Sequence, residues 1–113
     1  MTTKFFTFDQ NNSGGFFHTT EKLTCYVIIE AENAEQATIK ATSLGIYFDG
    51  CATGKDCDCC GDRWYRPWDG DGDDVPLVAG RAPAEYLKKW PYRNAEPGRE
   101  IVVHYADGRV EWF

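Results

Sequence analysis

The sequence contains no uninterrupted apolar run approaching the roughly 18 to 20 residues that cross a bilayer. Its first residues lack the apolar stretch and the small-residue cleavage site of a signal peptide, so we expect neither secretion nor a membrane anchor. Positive charge is also scarce, because 12 basic residues face 18 acidic ones, for a net charge of −6. This balance argues against direct binding to nucleic-acid phosphates.

The chain does contain enough apolar material for a folded core. Hydrophobic residues make up 42% of its 113 residues and aromatic residues 15%, which excludes wholesale disorder. This length is typical of one domain, so we predict a single domain over residues 1–113.

The first half of the sequence predicts strands around one helix. Lys4–Asp9 and residues 16–19 are typical of a hairpin, with the turn cluster Asn11–Gly15 between them. Residues 23–31 alternate as a strand does, and the alternation places Cys25 in the core.

A helix should follow at once. Asn33 is a favourable N-cap with Gln36 three positions later, and Gly45 supplies a C-terminal stop. The short apolar segment at residues 46–48 then predicts another buried strand.

The second half of the sequence predicts a short helix and a hairpin. Residues 82–89 can form the helix, and Asp107-Gly108 is typical of a two-residue hairpin turn. That turn predicts three cross-strand pairs: Tyr105 with Val110, His104 with Glu111, and Val103 with Trp112.

Together these segments predict an α+β fold. We expect a small antiparallel sheet of about five strands, with one main helix packed on one face and leftover aromatic residues on the exposed face. Residues 51–80 show no regular periodicity and predict a long irregular loop rich in cysteine and aspartate.

The strongest candidate for chemistry is a cluster of four cysteines: Cys51, Cys57, Cys59 and Cys60. Four thiolates within reach of one point suit tetrahedral zinc, although reduced thiols packed beneath the loop are the alternative. Such closely spaced cysteines form disulfides poorly, which indicates a reducing cytoplasm. Nearby aspartates disfavour the thiolate, so a catalytic cysteine is the weaker interpretation.

The negative charge is concentrated beside these cysteines. Residues 49–74 hold eight aspartates against three basic residues. Residues 69–74 begin like a calcium loop, but Asp74 replaces the required glycine and Gly80 the required glutamate. A solvated acidic turn is the better interpretation, with Asp71, Asp73 and Asp74 available to a basic partner.

Aromatic and arginine residues alternate within the same segment. They are Arg63, Trp64, Tyr65, Arg66 and Trp68. Such side chains could stack on a base or anchor a protein interface, and they could equally cover the core beneath a loop. The two histidines, His18 and His104, are assigned structural roles. The turn at Asn11–Gly15 could bind a phosphate, although a plain hairpin loop is the simpler interpretation.

Four segments carry a resemblance to a known family: residues 5–15 (FFTFDQNNSGG), 27–34 (VIIEAENA), 46–50 (IYFDG) and 56–64 (DCDCCGDRW). They are similar to a family of small uncharacterised bacteriophage proteins. The resemblance implies expression in the cytoplasm of an infected bacterium, and it brings no catalytic residues with it.

We therefore expect a non-enzymatic bacteriophage accessory protein that binds and modulates or inhibits a host factor, in host takeover or counter-defence, through the acidic, aromatic segment. The alternatives are a protein that binds or sequesters a small molecule such as a nucleotide, and a zinc-stabilised module. A metal-dependent or thiol hydrolase would require an open coordination position, which a four-cysteine site does not provide. Exposed aromatic residues also permit a homodimer.

Overall fold

The structure of the protein is a computed structural model that describes residues 2–11, 20–56, 61–89 and 101–113. These residues form an α+β arrangement, as predicted, in which a small mixed sheet of four strands is accompanied by two α-helices. In chain order the elements are β1 (Lys4–Asp9), β2 (Tyr26–Ala31), α1 (Ala34–Leu44), a 3₁₀ turn (Asp69–Asp71), α2 (Pro83–Lys89), β3 (Ile101–His104) and β4 (Val110–Trp112). The strand predicted at residues 16–19 lies outside the described residues.

The strands lie in the order β1-β2-β3-β4. The outer pairs β1/β2 and β3/β4 are antiparallel, but β2 and β3 are parallel, with Ile28 opposite Val103. The prediction that the sheet is antiparallel throughout is therefore wrong, and the described residues supply four strands where about five were predicted. The reason lies in the long connection after β2, which passes through α1 and allows the chain to re-enter the sheet in the same direction.

Both faces of the two central strands, β2 and β3, are buried. On one face, α1 packs through Ala37 and Ala41 over a cluster that includes Phe6, Phe8, Val27, Ile29 and Val102. On the other face, Ile28, Ile101 and Val103 are fully buried beneath Val78 and Tyr86 of the later segment. The prediction that one face of the sheet is exposed is therefore wrong, because Val78 and Tyr86 pack over that face.

Helix α1 begins and ends at the residues that the sequence indicates. The Asn33 side chain accepts a hydrogen bond from the Gln36 N–H at 2.8 Å. At the other end, Gly45 adopts a φ of 109° and its N–H bonds to the Thr42 carbonyl, while the Ile46 N–H bonds to the Ala41 carbonyl. These two bonds form a Schellman motif, which satisfies carbonyls that would otherwise lack a partner at the helix end.

The segment at residues 46–48 is not a strand, contrary to the prediction. Ile46 is 1% exposed and packs in the α1 cluster, and its backbone completes the helix cap rather than joining the sheet. Its apolar side chain fulfils the C-terminal hydrophobic contact that often accompanies this cap. The short apolar run therefore predicted correctly that Ile46 is buried, but its prediction of a strand was wrong.

The C-terminal hairpin exists, but its register differs from the prediction by one residue. The Gly108 N–H bonds to the Tyr105 carbonyl at 3.0 Å, and the Tyr105 N–H bonds to the Arg109 carbonyl at 2.8 Å. Gly108 has a φ of 91°, so the loop has three residues and ends in a left-handed glycine. The pairs are consequently Val102 with Trp112, Val103 with Glu111 and His104 with Val110.

Candidate functional site

Two of the predicted contact residues lie in the interior. Trp64 is 1% exposed and belongs to the cluster beneath α1, and Arg63 is 2% exposed. At these two positions the structure agrees with the interpretation that the segment covers the core. The sequence had no means of separating Trp64 from its exposed neighbours, because the segment lacks periodicity.

Arg63 is held in a buried polar cluster that sequence reasoning missed. Its Nε donates to the Tyr47 hydroxyl at 3.1 Å, and its Nη1 donates to Gln10 Oε1 at 3.0 Å. The Asp56 carboxylate accepts from the Arg63 backbone N–H at 2.8 Å and from the Tyr47 hydroxyl at 2.7 Å. Asp56 and Arg63 also form a buried ion pair at 3.6 Å between Oδ1 and Nε. We call these four residues the Arg63 cluster.

The Arg63 cluster is compact because Gly50 allows Asp56 to approach the backbone. A Cβ at position 50 would lie 1.8 Å from Asp56 Oδ2, so only glycine fits there. Burial, with the hydrogen bond to Asp56 as the next cause, raises the pKa of the Tyr47 hydroxyl. The hydroxyl therefore remains a neutral donor to the carboxylate.

The Arg63 cluster and a neighbouring hydrogen bond join the two ends of the segment that carries the cysteine cluster. Cys51 is half-buried, and its backbone N–H donates to Asp62 Oδ1 at 2.9 Å. Cys57, Cys59 and Cys60 lie outside the described residues, so the predicted zinc site stays a prediction. Within the described ranges, no group of three or more histidine, cysteine or acidic side chains could hold a metal ion.

The next residues present two large aromatic side chains to solvent. Tyr65 is 61% exposed and Trp68 is 79% exposed. Arg66 lies between them in sequence, and Asp71 follows in the 3₁₀ turn. We call Tyr65, Arg66, Trp68 and Asp71 the aromatic surface.

Trp68 stands on an ordered turn. Its backbone N–H donates to Asp71 Oδ2 at 2.8 Å, and its carbonyl accepts from the Asp71 N–H at 2.9 Å. Arg66 is fixed by an ion pair to Asp49 at 3.0 Å and lies over the Phe48 ring at 4.8 Å. Local hydrogen bonds and charge pairs therefore position the backbone that carries the exposed rings.

The acidic segment, residues 69–74, contacts the rest of the protein at three points. Asp69 Oδ1 accepts from the Ala34 N–H at 2.9 Å, which caps the start of α1 across 35 residues of sequence. Asp73 forms a backbone bridge with Phe5 of β1, with N–O distances of 2.8 and 2.9 Å. Asp74 pairs with Lys4, whose ammonium lowers the pKa of that carboxyl.

Gly72 explains why the segment can lie so close to β1. A Cβ at this position would lie 2.7 Å from Lys4 Cβ and 3.0 Å from Phe6 Cζ. The acidic residues thus cover the outer edge of the sheet, a position that natural proteins often protect with charge. No sequence signal indicated this arrangement, since the contacts join residues about 70 positions apart.

A cleft lies between the aromatic surface and β1. Its volume is about 230 Å³, and its walls include Thr7, Asp9, Tyr65, Arg66 and Asp71. The cleft thus offers carboxylates and a guanidinium beside an exposed ring.

His104 does not form the predicted pair with Glu111. It is 4% exposed, and its Nε2 lies 2.8 Å from the Lys22 carbonyl oxygen, so Nε2 donates. Glu111 instead accepts from the Tyr105 hydroxyl at 2.7 Å. The one-residue difference in register accounts for this exchange of partners. His18 and nearly all of the Asn11–Gly15 turn lie outside the described residues.

The fold and the surface together define a small α+β protein with a mixed four-stranded sheet and an acidic, aromatic segment along one edge. The chain belongs to the family described as Domain of unknown function (DUF7296), which matches residues 3–113. No curated protein and no solved structure matches the chain. In the described part of the chain, no helix has the length and apolar character needed to cross a membrane.

Proposed function

We propose that this chain is a non-enzymatic binding protein of bacteriophage origin that contacts a host protein through the aromatic surface. The observation that carries the proposal is Trp68, which is 79% exposed while its backbone is fixed by two hydrogen bonds to Asp71. The cytoplasm of the infected bacterium is the corresponding location, and the resemblance to bacteriophage proteins supports it.

The composition of the aromatic surface supports a protein partner. Tryptophan, tyrosine and arginine are the residues most enriched among those that dominate binding energy at interfaces. Here Tyr65, Arg66 and Trp68 lie within four positions of one another. Because the turn is already ordered, docking would cost less conformational entropy than docking of a disordered segment.

Charge indicates the kind of partner. Asp69, Asp71 and Asp74 are exposed in the same segment as the rings, and residues 49–74 carry most of the net negative charge of the chain. A basic host surface would be attracted to this segment and oriented by it.

The hydrogen bonds of three titratable side chains favour binding over catalysis. Asp56 holds Arg63, Asp71 holds the backbone of Trp68, and His104 donates to a carbonyl. Each group therefore has a structural role that accounts for its position.

The proposal is tested by capture from bacterial lysate with three versions of the protein. We expect wild type to capture a specific host protein, and Trp68→Ser to lose it by about 30-fold in affinity, as for a dominant interface tryptophan. Trp112→Ser is the matched control, because Trp112 is also exposed, at 42%, but lies on β4. Equal capture by the wild type and Trp68→Ser would refute the proposal.

A zinc-stabilised module is the second candidate, and the closed base of the cysteine segment favours it. The Arg63 cluster joins residues 56 and 63, while Asp62 bonds the backbone of Cys51. These contacts bring Cys51 next to the ends of the segment that carries the other three cysteines. Native mass spectrometry of protein purified without chelators should show one zinc per chain in wild type and less in Cys51→Ser. A mass without metal would remove this candidate.

A further inference from the structure

Another cavity lies between the later half of α1 and the β3–β4 turn. Its volume is about 190 Å³. Its walls include Lys22, Lys40, Leu44, His104, Arg109 and Val110. No acidic residue is among the described residues that line it.

Three positive charges around one cavity are unexpected in a chain with a net charge of −6. Lys22 and Arg109 are exposed, and Lys40 is half-buried. Like charges that face one cavity repel each other, and the repulsion is relieved when an anion enters. The nearest acidic neighbour along the turn is Asp107, whose Oδ2 lies 3.8 Å from Arg109 Nε.

Hydrogen bonds fix two of the basic groups at the cavity wall. Lys40 Nζ donates to the Tyr105 carbonyl at 3.0 Å, which uses one of its three donors and leaves two for a ligand. His104 is held by the bond from Nε2 to the Lys22 carbonyl. Burial lowers the pKa of His104, the hydrogen bond to the Lys22 carbonyl raises it, and the charges of Lys40 and Lys22 lower it.

Much of the remaining wall is apolar. The side chains of Leu44 and Val110 contribute to it, and Val110 is 46% exposed beside the opening. Lysine and arginine stems add further apolar surface while their charged ends stay near water. A bare inorganic ion would leave this surface uncovered, whereas a ring or short alkyl group would cover it.

We propose that this cavity binds a small organic anion, in which a carboxylate or phosphate group carries a ring or short apolar chain. The anionic group lies among Lys22, Lys40 and Arg109, and the apolar part contacts Leu44 and Val110. The site is separate from the aromatic surface and does not depend on the proposed function.

The test is a titration of the full chain with phenyl phosphate. Isothermal calorimetry measures the binding, and NMR of the His104 ring resonances measures the pKa of this histidine. We expect saturable binding and a rise in the pKa of His104, because a bound anion favours the charged imidazolium. Inorganic phosphate and phenol are the matched probes, and each should bind at least about tenfold more weakly.

Two variants locate the site. Lys40→Met keeps the stem and removes the charge, so phenyl phosphate should bind at least about tenfold more weakly. Lys22→Met, at an exposed position, should also weaken binding and guards against a folding defect in the first variant. Lys88→Met, an exposed lysine on α2, and Trp68→Ser should leave the affinity unchanged. The proposal is overturned if binding does not saturate, if both cavity variants bind as wild type does, or if inorganic phosphate binds equally well.

Discussion

Replacing Asp56 by asparagine is expected to lower the free energy of unfolding by about 3–5 kcal/mol, the usual cost of removing one partner from a buried ion pair. The substitution keeps the shape but leaves the Arg63 guanidinium, whose side chain is 2% exposed, without its counter-charge. It also places an amide where the Arg63 N–H and the Tyr47 hydroxyl both donate, so one donor loses its acceptor. Domains of this kind have total stabilities of about 5–15 kcal/mol, so the variant should still fold at low temperature.

Urea denaturation followed by circular dichroism measures this loss, and thermal unfolding should show a decrease of about 10–25 °C in Tm. The matched control is Asp49→Asn, which removes the same charge from an ion pair with Arg66. Both members of that pair are more than half exposed, so the control should change stability by less than about 1 kcal/mol. If both variants lowered the free energy of unfolding equally, Arg63 would be exposed to solvent. The description of the Arg63 cluster as buried would then be wrong.

Three further substitutions test the helix caps and the buried histidine. Gly45→Ala should lower stability by at least about 1–2 kcal/mol, since Gly45 has a φ of 109° and a Cβ would lie 3.3 Å from Leu23; thermal unfolding measures it. Asn33→Ala should lower the free energy of unfolding by about 1 kcal/mol in the same measurement, because the N-cap hydrogen bond is lost. Burial lowers the pKa of His104 below its usual 6.5, so the unfolded chain binds this proton more readily and stability should fall as the pH drops below about 6.5. His104→Gln should flatten this dependence in Tm values measured between pH 5 and 8, and an unchanged slope would contradict the assignment.

The parts of the fold that the sequence predicted are those whose signals are local. Helix α1 begins at Asn33 and ends before Gly45 because both caps act within a few residues of the helix. Strand β1 and helix α2 were also indicated by neighbouring residues. The parallel pairing of β2 with β3 joins residues more than 70 positions apart, and no local pattern encodes it.

The errors at the C-terminal hairpin and after α1 have a similar origin. Asp107-Gly108 suits both a two-residue turn and a three-residue loop that ends in a left-handed glycine, and only the strand register distinguishes them. Ile46 is apolar and buried in either interpretation, so burial could not decide between a strand and a helix cap.

The candidate site was predicted as a segment but not residue by residue. The sequence pattern groups Trp64 with Trp68, yet Trp64 is 1% exposed and Trp68 is 79% exposed. The difference arises from tertiary packing, since Trp64 lies beneath α1 and residues 65–68 run along the surface. The contact from Asp69 to α1 likewise depends on the fold and has no signature in the sequence.

The most direct test of the central proposal is photo-crosslinking in bacterial cells, with a photoreactive phenylalanine analogue at position 68 or at position 112. The proposal predicts a discrete adduct with one host protein from position 68 and no such adduct from position 112. An excess of unlabelled wild type should compete for the adduct, and an excess of Trp68→Ser should not. No adduct at position 68, or the same adduct from both positions, would contradict the proposal that the aromatic surface binds a host protein.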